Sequence, residues 1–427
     1  MIKKLRIYDP WLFAFAVAAT CIGFLFIFDA GYATTLQKDK GGMPDEFFHQ
    51  ILFAGIGCGV AWVCSRISID FWKKGSKLIW LVNIALLIAV ALVGQRVNGA
   101  KRWLGHSPLG IQPAEFAKLA AVLYLAGYFA ERKAWPKRIK PCANWMLQVD
   151  NVWVPKVKRC LPAVWVFGAA FLIILEPDLG TGAVVAATAF FMFLPAGVTK
   201  KSIIAALVLA CLGAGVAVIK EPYRMARMMH HTQRWSSENV DDLEYQTVQS
   251  ELAIAEGGSI GVGPGAGRAK QVLPVTTTTT DFIWATVSEE FGLVGSLIFL
   301  AVLGGMVFRL MQLAKRATSR FSMLLFYGVA FWIGIQTCVN VMMANAMLPA
   351  IGIPLPFISS GGSSLIALWI AVGVCQSALA PARSKPDRPD DDGGSNPTPP
   401  TPKRRVATQS GLRSRKVTAV RVPSQTR

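Results

Sequence analysis

One carboxylate is set apart by its neighbours. Asp281 follows five consecutive threonines, Thr276–Thr280, and precedes the apolar run Phe282-Ile-Trp-Ala. That order puts an acid at the mouth of a membrane-length helix, near its amino end. There it can take part in proton transfer, or simply favour the helix through its exposed N–H groups. Glu289 and Glu290 follow on the same segment, about 12 Å further along a helix. Carboxylates at that depth are expensive unless they meet a polar cavity or a partner, so a functional cavity is expected around them.

Five more stretches stand out. Asn98-Gly-Ala-Lys-Arg-Trp103 supplies Arg102 and Trp103, and Gln112-Pro-Ala-Glu115 follows with Lys118 just beyond. Glu115 and Lys118 share a helical face and can pair; the plain alternative is a structural ion pair with Trp103 as an interfacial anchor. Glu176-Pro-Asp178 adds two carboxylates. The stretch Gly257–Gly267 is dense in glycine and leads into Arg268 and Lys270. Glycine lets backbone N–H groups approach an anion closely, although a flexible turn explains it equally well. It holds no GxxxxGK[ST] and no strict GxGxxG, so a nucleotide site is unsupported. Finally, Leu348-Pro to Ser364 is uncharged and rich in Pro and Gly. It reads as a non-helical re-entrant segment buried against protein.

The elements that must position these residues follow from composition. Of 427 residues, 53% are hydrophobic and 16% charged, and the mean hydropathy is +0.43. Soluble chains carry roughly a quarter charged residues. An all-α membrane protein of about ten spans is expected. The spans are read near Trp11–Phe28, Phe48–Cys64, Ile79–Val93, Phe116–Ala130, Leu161–Leu175, Ala183–Val198, Ile203–Ile219, Phe282–Phe308, Phe321–Met343 and Ser364–Ala380. The first run follows Lys3, Lys4 and Arg6 and passes any small-residue cleavage site, so it is expected to stay as a span. With the amino terminus inside, the short inner loops carry 18 Lys+Arg and the short outer loops 5. Both termini are therefore expected in the cytoplasm.

In that topology every chemical stretch named above projects to the outer side. Residues 220–280 form one long extracytoplasmic loop within a membrane domain of residues 1–380. Residues 381–427 form a basic tail, with 11 Lys+Arg against 4 Asp+Glu, expected to be disordered in the cytoplasm. Charges between apolar runs, rather than in one patch, argue against nucleic acid. The eight cysteines form no CxxC, and the adjacent His230 and His231 lack metal-ligand spacing.

The blocks NGAKRW, QPAEFAK, EPDLGTG, YQ..QS..AI..GG..G.GPG, TDFI....SEEFG and IGIPLPFISSGGSSL, in that order, resemble the SEDS family (shape, elongation, division and sporulation) of FtsW, RodA and SpoVE. The likeness runs to about Leu379, and the GVGPG pattern leans towards the division member, FtsW. It implies a ten-span enzyme of the bacterial cytoplasmic membrane that polymerises glycan strands from lipid II, an undecaprenyl-pyrophosphate-linked disaccharide peptide, on the outer leaflet. Its implied partners are a class B penicillin-binding protein and other divisome proteins. The family's essential carboxylate falls on Asp281, its important tryptophan on Trp103, its fourth-span polar cluster on Gln112, Glu115 and Lys118, and its paired glutamates on Glu289 and Glu290.

This chain departs from the family pattern in places. Leu273-Pro274 is followed by Val275 and the threonines, so a carboxylate and a histidine common near the catalytic acid are missing; Ala114 and Ser360 replace a usual serine and tyrosine. None of these removes Asp281. On this likeness Asp281 is the expected general base, and Arg102, Arg268, Lys270 or a divalent cation (Mg or Mn) would steady the departing pyrophosphate. The alternatives are a transporter of the lipid-linked precursor and a division scaffold.

Overall fold

A computed structural model describes residues 9–37, 43–97, 100–105, 110–131, 165–173, 178–198, 204, 208, 222–236 and 244–379. The chain divides into a unit Met1–Ala380 and a unit Pro381–Arg427, and the tail unit lies outside the described residues. The first unit is built from helices: α1 (Pro10–Gln37), α2 (Asp45–Arg66), α3 (Ile69–Val93), α4 (Pro113–Ala130), α5 (Leu179–Met192), α6 (Pro222–Thr232), α7 (Tyr245–Gly257), α8 (Ala269–Val272), α9 (Val275–Thr279), α10 (Ile283–Arg316), α11 (Arg320–Ala344) and α12 (Gly362–Ala378). Residues 165–173 are also helical.

Among the described residues, five helices are long and apolar enough to cross a membrane: Pro10–Tyr32, α2, α3, α10 and α11; α5 and α12 are shorter and apolar. Polarity is distributed inside out. Leu92 and Val93 are 71% and 75% exposed, whereas Lys118 and Glu290 are 1% and 2% exposed. Apolar side chains facing outward and charges facing inward suit a bundle surrounded by lipid. The expected spans near Leu161–Leu175 and Ile203–Ile219 fall largely outside the described residues.

Several boundaries differ from the sequence reading. α3 begins at Ile69 rather than Ile79, so Lys73, Lys74 and Lys77 lie on helix and not in a loop. α10 runs on to Arg316, past Phe308. Hydropathy marks only the apolar part of a helix, and polar ends that continue the backbone ladder escape it. The outer loop after α3 contains an unexpected antiparallel hairpin of β1 (Gln95–Val97) and β2 (Ala100–Trp103). Gln95 pairs with Trp103 and Arg96 with Lys101, which leaves Arg102 as the extra residue of a bulge. The expected long loop 220–280 carries four helical pieces, α6 to α9.

α4 is buried along nearly its whole length and packs on α3, α5 and α11. Its small residues permit this closeness; a Cβ at Gly127 would press on Ser76. α12 lies on α2, with Gly57 against the Trp369 ring and Gly373 against the Ala61 backbone. At the end of the bundle away from Asp281, buried Asp9 caps α1 through the Leu12 N–H (2.8 Å) and pairs with Arg309 of α10 (2.6 Å). The stretch 345–361 is non-helical, as expected. Its Ile353, Leu355, Phe357 and Ile358 are buried, and its backbone touches Gly23 of α1 and Gly180 of α5.

Candidate active site

Asp281 sits in a break between α9 and α10. The helix cannot run through Thr280, whose ψ of −87° departs from helical geometry. The freed carbonyls of this break are taken by its neighbours. Ser360 N–H donates to the Thr279 carbonyl at 2.8 Å, the Ser359 hydroxyl donates to that of Thr280, and Asn340 Nδ2 of α11 donates to that of Asp281 at 2.8 Å. The stretch 345–361 thus holds the Asp281 turn in place. Gly352, with φ of +70°, brings its Cα side to the carboxylate: a Cβ there would lie 3.5 Å from Asp281 Oδ2.

The Asp281 carbonyl is engaged by Asn340 while its carboxylate is not engaged. Among the described residues no hydrogen-bond donor reaches it. Asp281 is half-buried, and burial pushes its carboxyl up to about 6, with the negative charge of Asp178 adding and Arg102 opposing. Arg102 owes its place to the hairpin bulge, a device that re-aims a side chain. Asp178 caps α5, accepting from Thr181 N–H (3.1 Å), and its other oxygen accepts from Gln112 Nε2 (3.1 Å). Gln112 N–H in turn donates to the Ser363 hydroxyl at the start of α12 (3.0 Å). The hairpin, the start of α5, the stretch 345–361 and α11 therefore converge on Asp281. Trp103 follows Arg102 on β2, and its ring lies against Gly110.

A charged pair lies in the interior. Lys118 Nζ meets both oxygens of Glu115 at 2.8 and 2.9 Å, and also Gln336 Oε1 at 3.1 Å. The i,i+3 pairing read from the sequence is present, with α11 as a third contributor.

Glu289 and Glu290 are elsewhere. Glu289 accepts from the N–H groups of Arg268 and Ala269, the latter at 2.9 Å. Glu290 accepts from Gly265 N–H at 3.1 Å and from Lys270 Nζ at 2.8 Å, and Lys270 also meets Asp29 of α1 at 2.8 Å. The glycine-rich loop does cradle an anion, but that anion is the chain's own. α10 is kinked at Gly292 (φ 62°, ψ −167°), which frees the carbonyls of Glu289 and Glu290. Val262 and Gly263 N–H groups fill them at 3.0 and 3.1 Å.

The expectation of a cavity around the two glutamates, and of Lys270 as a substrate contact, is corrected accordingly: Lys270 is buried in an internal ion-pair cluster. Arg268 is exposed, with Glu256 at 3.9 Å. Glu176 lies outside the described residues. Among those described, no group of three or more His, Cys, Asp or Glu side chains is arranged to hold a metal ion.

The model of the cell cycle protein family FtsW/RodA/SpoVE matches residues 10–383. The chain belongs to this family. It is 30% identical over 374 residues to the probable peptidoglycan glycosyltransferase FtsW of Coxiella burnetii, covering 86% of this chain and 95% of that one. Stage V sporulation protein E of Bacillus subtilis is 31% identical over 359 residues, covering 83% and 92%. Among solved structures, a chain of a peptidoglycan synthase complex coordinating polymerisation and cross-linking superposes with a TM-score of 0.69 at 26% identity, covering 87% of this chain and 97% of that one. The rod shape determining protein RodA of Thermus thermophilus shares the fold, with a TM-score of 0.60 at 24% identity, covering 87% and 96%.

Within this FtsW/RodA/SpoVE fold, sequence reasoning missed Gln336, Asn340, Ser359 and Ser363. A signal existed for the first two, because they are polar, one turn apart and inside an apolar span. The serines had no such signal, since their role depends on which loop meets which.

Proposed function

We infer that this chain is a peptidoglycan glycosyltransferase that polymerises lipid II into glycan strands at the outer face of the bacterial cytoplasmic membrane. It works at the division septum, beside a class B penicillin-binding protein and other divisome proteins. The positive-residue asymmetry of its loops supports a multi-pass arrangement with both termini in the cytoplasm. One observation carries the reading: among the described residues no donor reaches the Asp281 carboxylate, whose pKa is pushed up to about 6 beside Arg102, while Asn340, Ser359 and Ser360 hold the carbonyls of Asp281, Thr280 and Thr279.

A carboxyl tuned to about 6 is ionised at neutral pH yet still basic enough to accept a proton. Asp281 takes the proton of the acceptor sugar hydroxyl. The oxygen forms its bond to the donor anomeric carbon as the bond to the lipid pyrophosphate breaks, and the pyrophosphate leaves with the electron pair. Arg102 offsets the charge gathering on the leaving group. Asp178 holds Gln112 and the start of α5 in register.

The deciding experiment is glycan synthesis from purified lipid II with the cognate transpeptidase present. Wild type should yield polymer and Asp281→Ala none; polymer from Asp281→Ala ends the base assignment. A transporter of the lipid-linked precursor is the competing reading, favoured by the buried Glu115–Lys118 pair. It would move lipid II between leaflets and make no polymer in detergent.

A further inference from the structure

α11 carries two polar side chains one turn apart, Gln336 and Asn340, both fully buried. Both face the stretch 345–361. Gln336 Nε2 donates to the Pro354 carbonyl at 2.8 Å, while its Oε1 accepts from Lys118 Nζ at 3.1 Å and from the Trp332 indole N–H at 2.7 Å. Asn340 Nδ2 donates twice, to the carbonyl of Asp281 at 2.8 Å and to that of Ile353 at 2.7 Å. One amide nitrogen therefore joins the backbone of the candidate base to the residue beside Gly352. Asn340 Oδ1 is buried without a partner, a costly state for an acceptor. The residue is thus explained by what its nitrogen holds, not by a fully satisfied amide.

We propose that Asn340, with Gln336 one turn earlier, is a positioning residue for glycosyl transfer. It clamps the Thr280–Phe282 turn against Ile353 and so fixes the direction in which the Asp281 carboxylate meets the acceptor hydroxyl. Through Gln336 the same rail ties that turn to Lys118 and Glu115. The proposal rests on Asp281 acting as the base. The charged groups facing Asp281 are Asp178 at the start of α5 and Arg102 of β2; 345–361 and the adjoining part of α11 bring none. A loosened turn would let water reach the carboxyl and bring its titration back towards that of an ordinary aspartate.

The test uses the full-length protein with its transpeptidase and measures lipid II polymerisation from pH 5 to 8, with thermal unfolding in parallel. Asn340→Leu should lower kcat about 10- to 100-fold, as small misplacements of reacting groups do, with KM nearly unchanged. The acid limb of kcat/KM should move to lower pH. If the rate instead falls equally at every pH, in step with the folded fraction, the residue only supports the fold and the proposal is overturned. Should the leucine variant not fold, Asn340→Ser carries the same comparison, because its shorter donor cannot span both carbonyls. A wild type with no acid limb, or an active Asp281→Ala, would overturn the base reading itself, an outcome separable from an unshifted limb.

Discussion

Two carboxylate sites eight residues apart on one segment have opposite characters. Around Glu289 and Glu290 the side-chain oxygens are met by loop N–H groups or by Lys270. Around Asp281 the neighbours engage the backbone and leave the carboxylate open. A buried acid surrounded by donors is a fastening, and its charge is consumed in holding α1, α10 and the glycine-rich loop together. A partly buried acid without donors keeps a proton equilibrium near neutrality. The supply of donors separates the two.

The largest effect should come from removing the open acid. Asp281→Ala should lower kcat about 10²- to 10⁴-fold, the range for a general base, with thermal stability retained. Radiolabelled lipid II turnover alongside a melting curve checks both halves. Lys270→Met should do the reverse: breaking a buried pair costs about 3–5 kcal/mol, so the protein melts early, while the fraction still folded polymerises at near the wild-type rate. A Lys270→Met protein that is stable but inactive would erase the contrast between the sites.

A smaller effect concerns pH and stability. The folded-state pKa of Asp281 is raised above its ordinary value, so its protonated form favours the fold. That contribution is complete below about pH 4 and is lost as pH rises through about 6. Asp281→Asn should therefore gain up to about 3 kcal/mol relative to wild type above pH 6, and nothing at pH 4. Unfolding in detergent at the two pH values reads this directly.

The finest comparison is within the open site. Arg102 lowers the Asp281 pKa and Asp178 raises it. Arg102→Gln should move the acid limb of kcat/KM up, and Asp178→Asn should move it down, each by up to about one pH unit. Shifts of the same sign would mean that another group sets the limb.

Much of the architecture was legible in the chain. Apolar runs are local features, and so are the helices they form, the charge deficit and the Glu115–Lys118 spacing; the paired charges follow from 3.6 residues per turn alone. Asp281 was legible too, because an acid at the mouth of a span is conspicuous by sequence neighbourhood. The hairpin was not, since its strands are short and its bulge at Arg102 is a matter of register. The partner of Lys270 was also hidden. Asp29 lies 241 residues away in sequence, and nothing in either neighbourhood points to the other.

The sequence by itself determined that this is a multi-helix membrane protein and which residues bear charge inside it, because hydropathy and helical period are properties of consecutive residues. Only the tertiary structure decided which acid is open and which is fastened. That choice depends on whether a distant backbone N–H, a lysine or an asparagine arrives at the carboxylate or at the carbonyl beside it, and folding alone brings those groups within hydrogen-bonding distance.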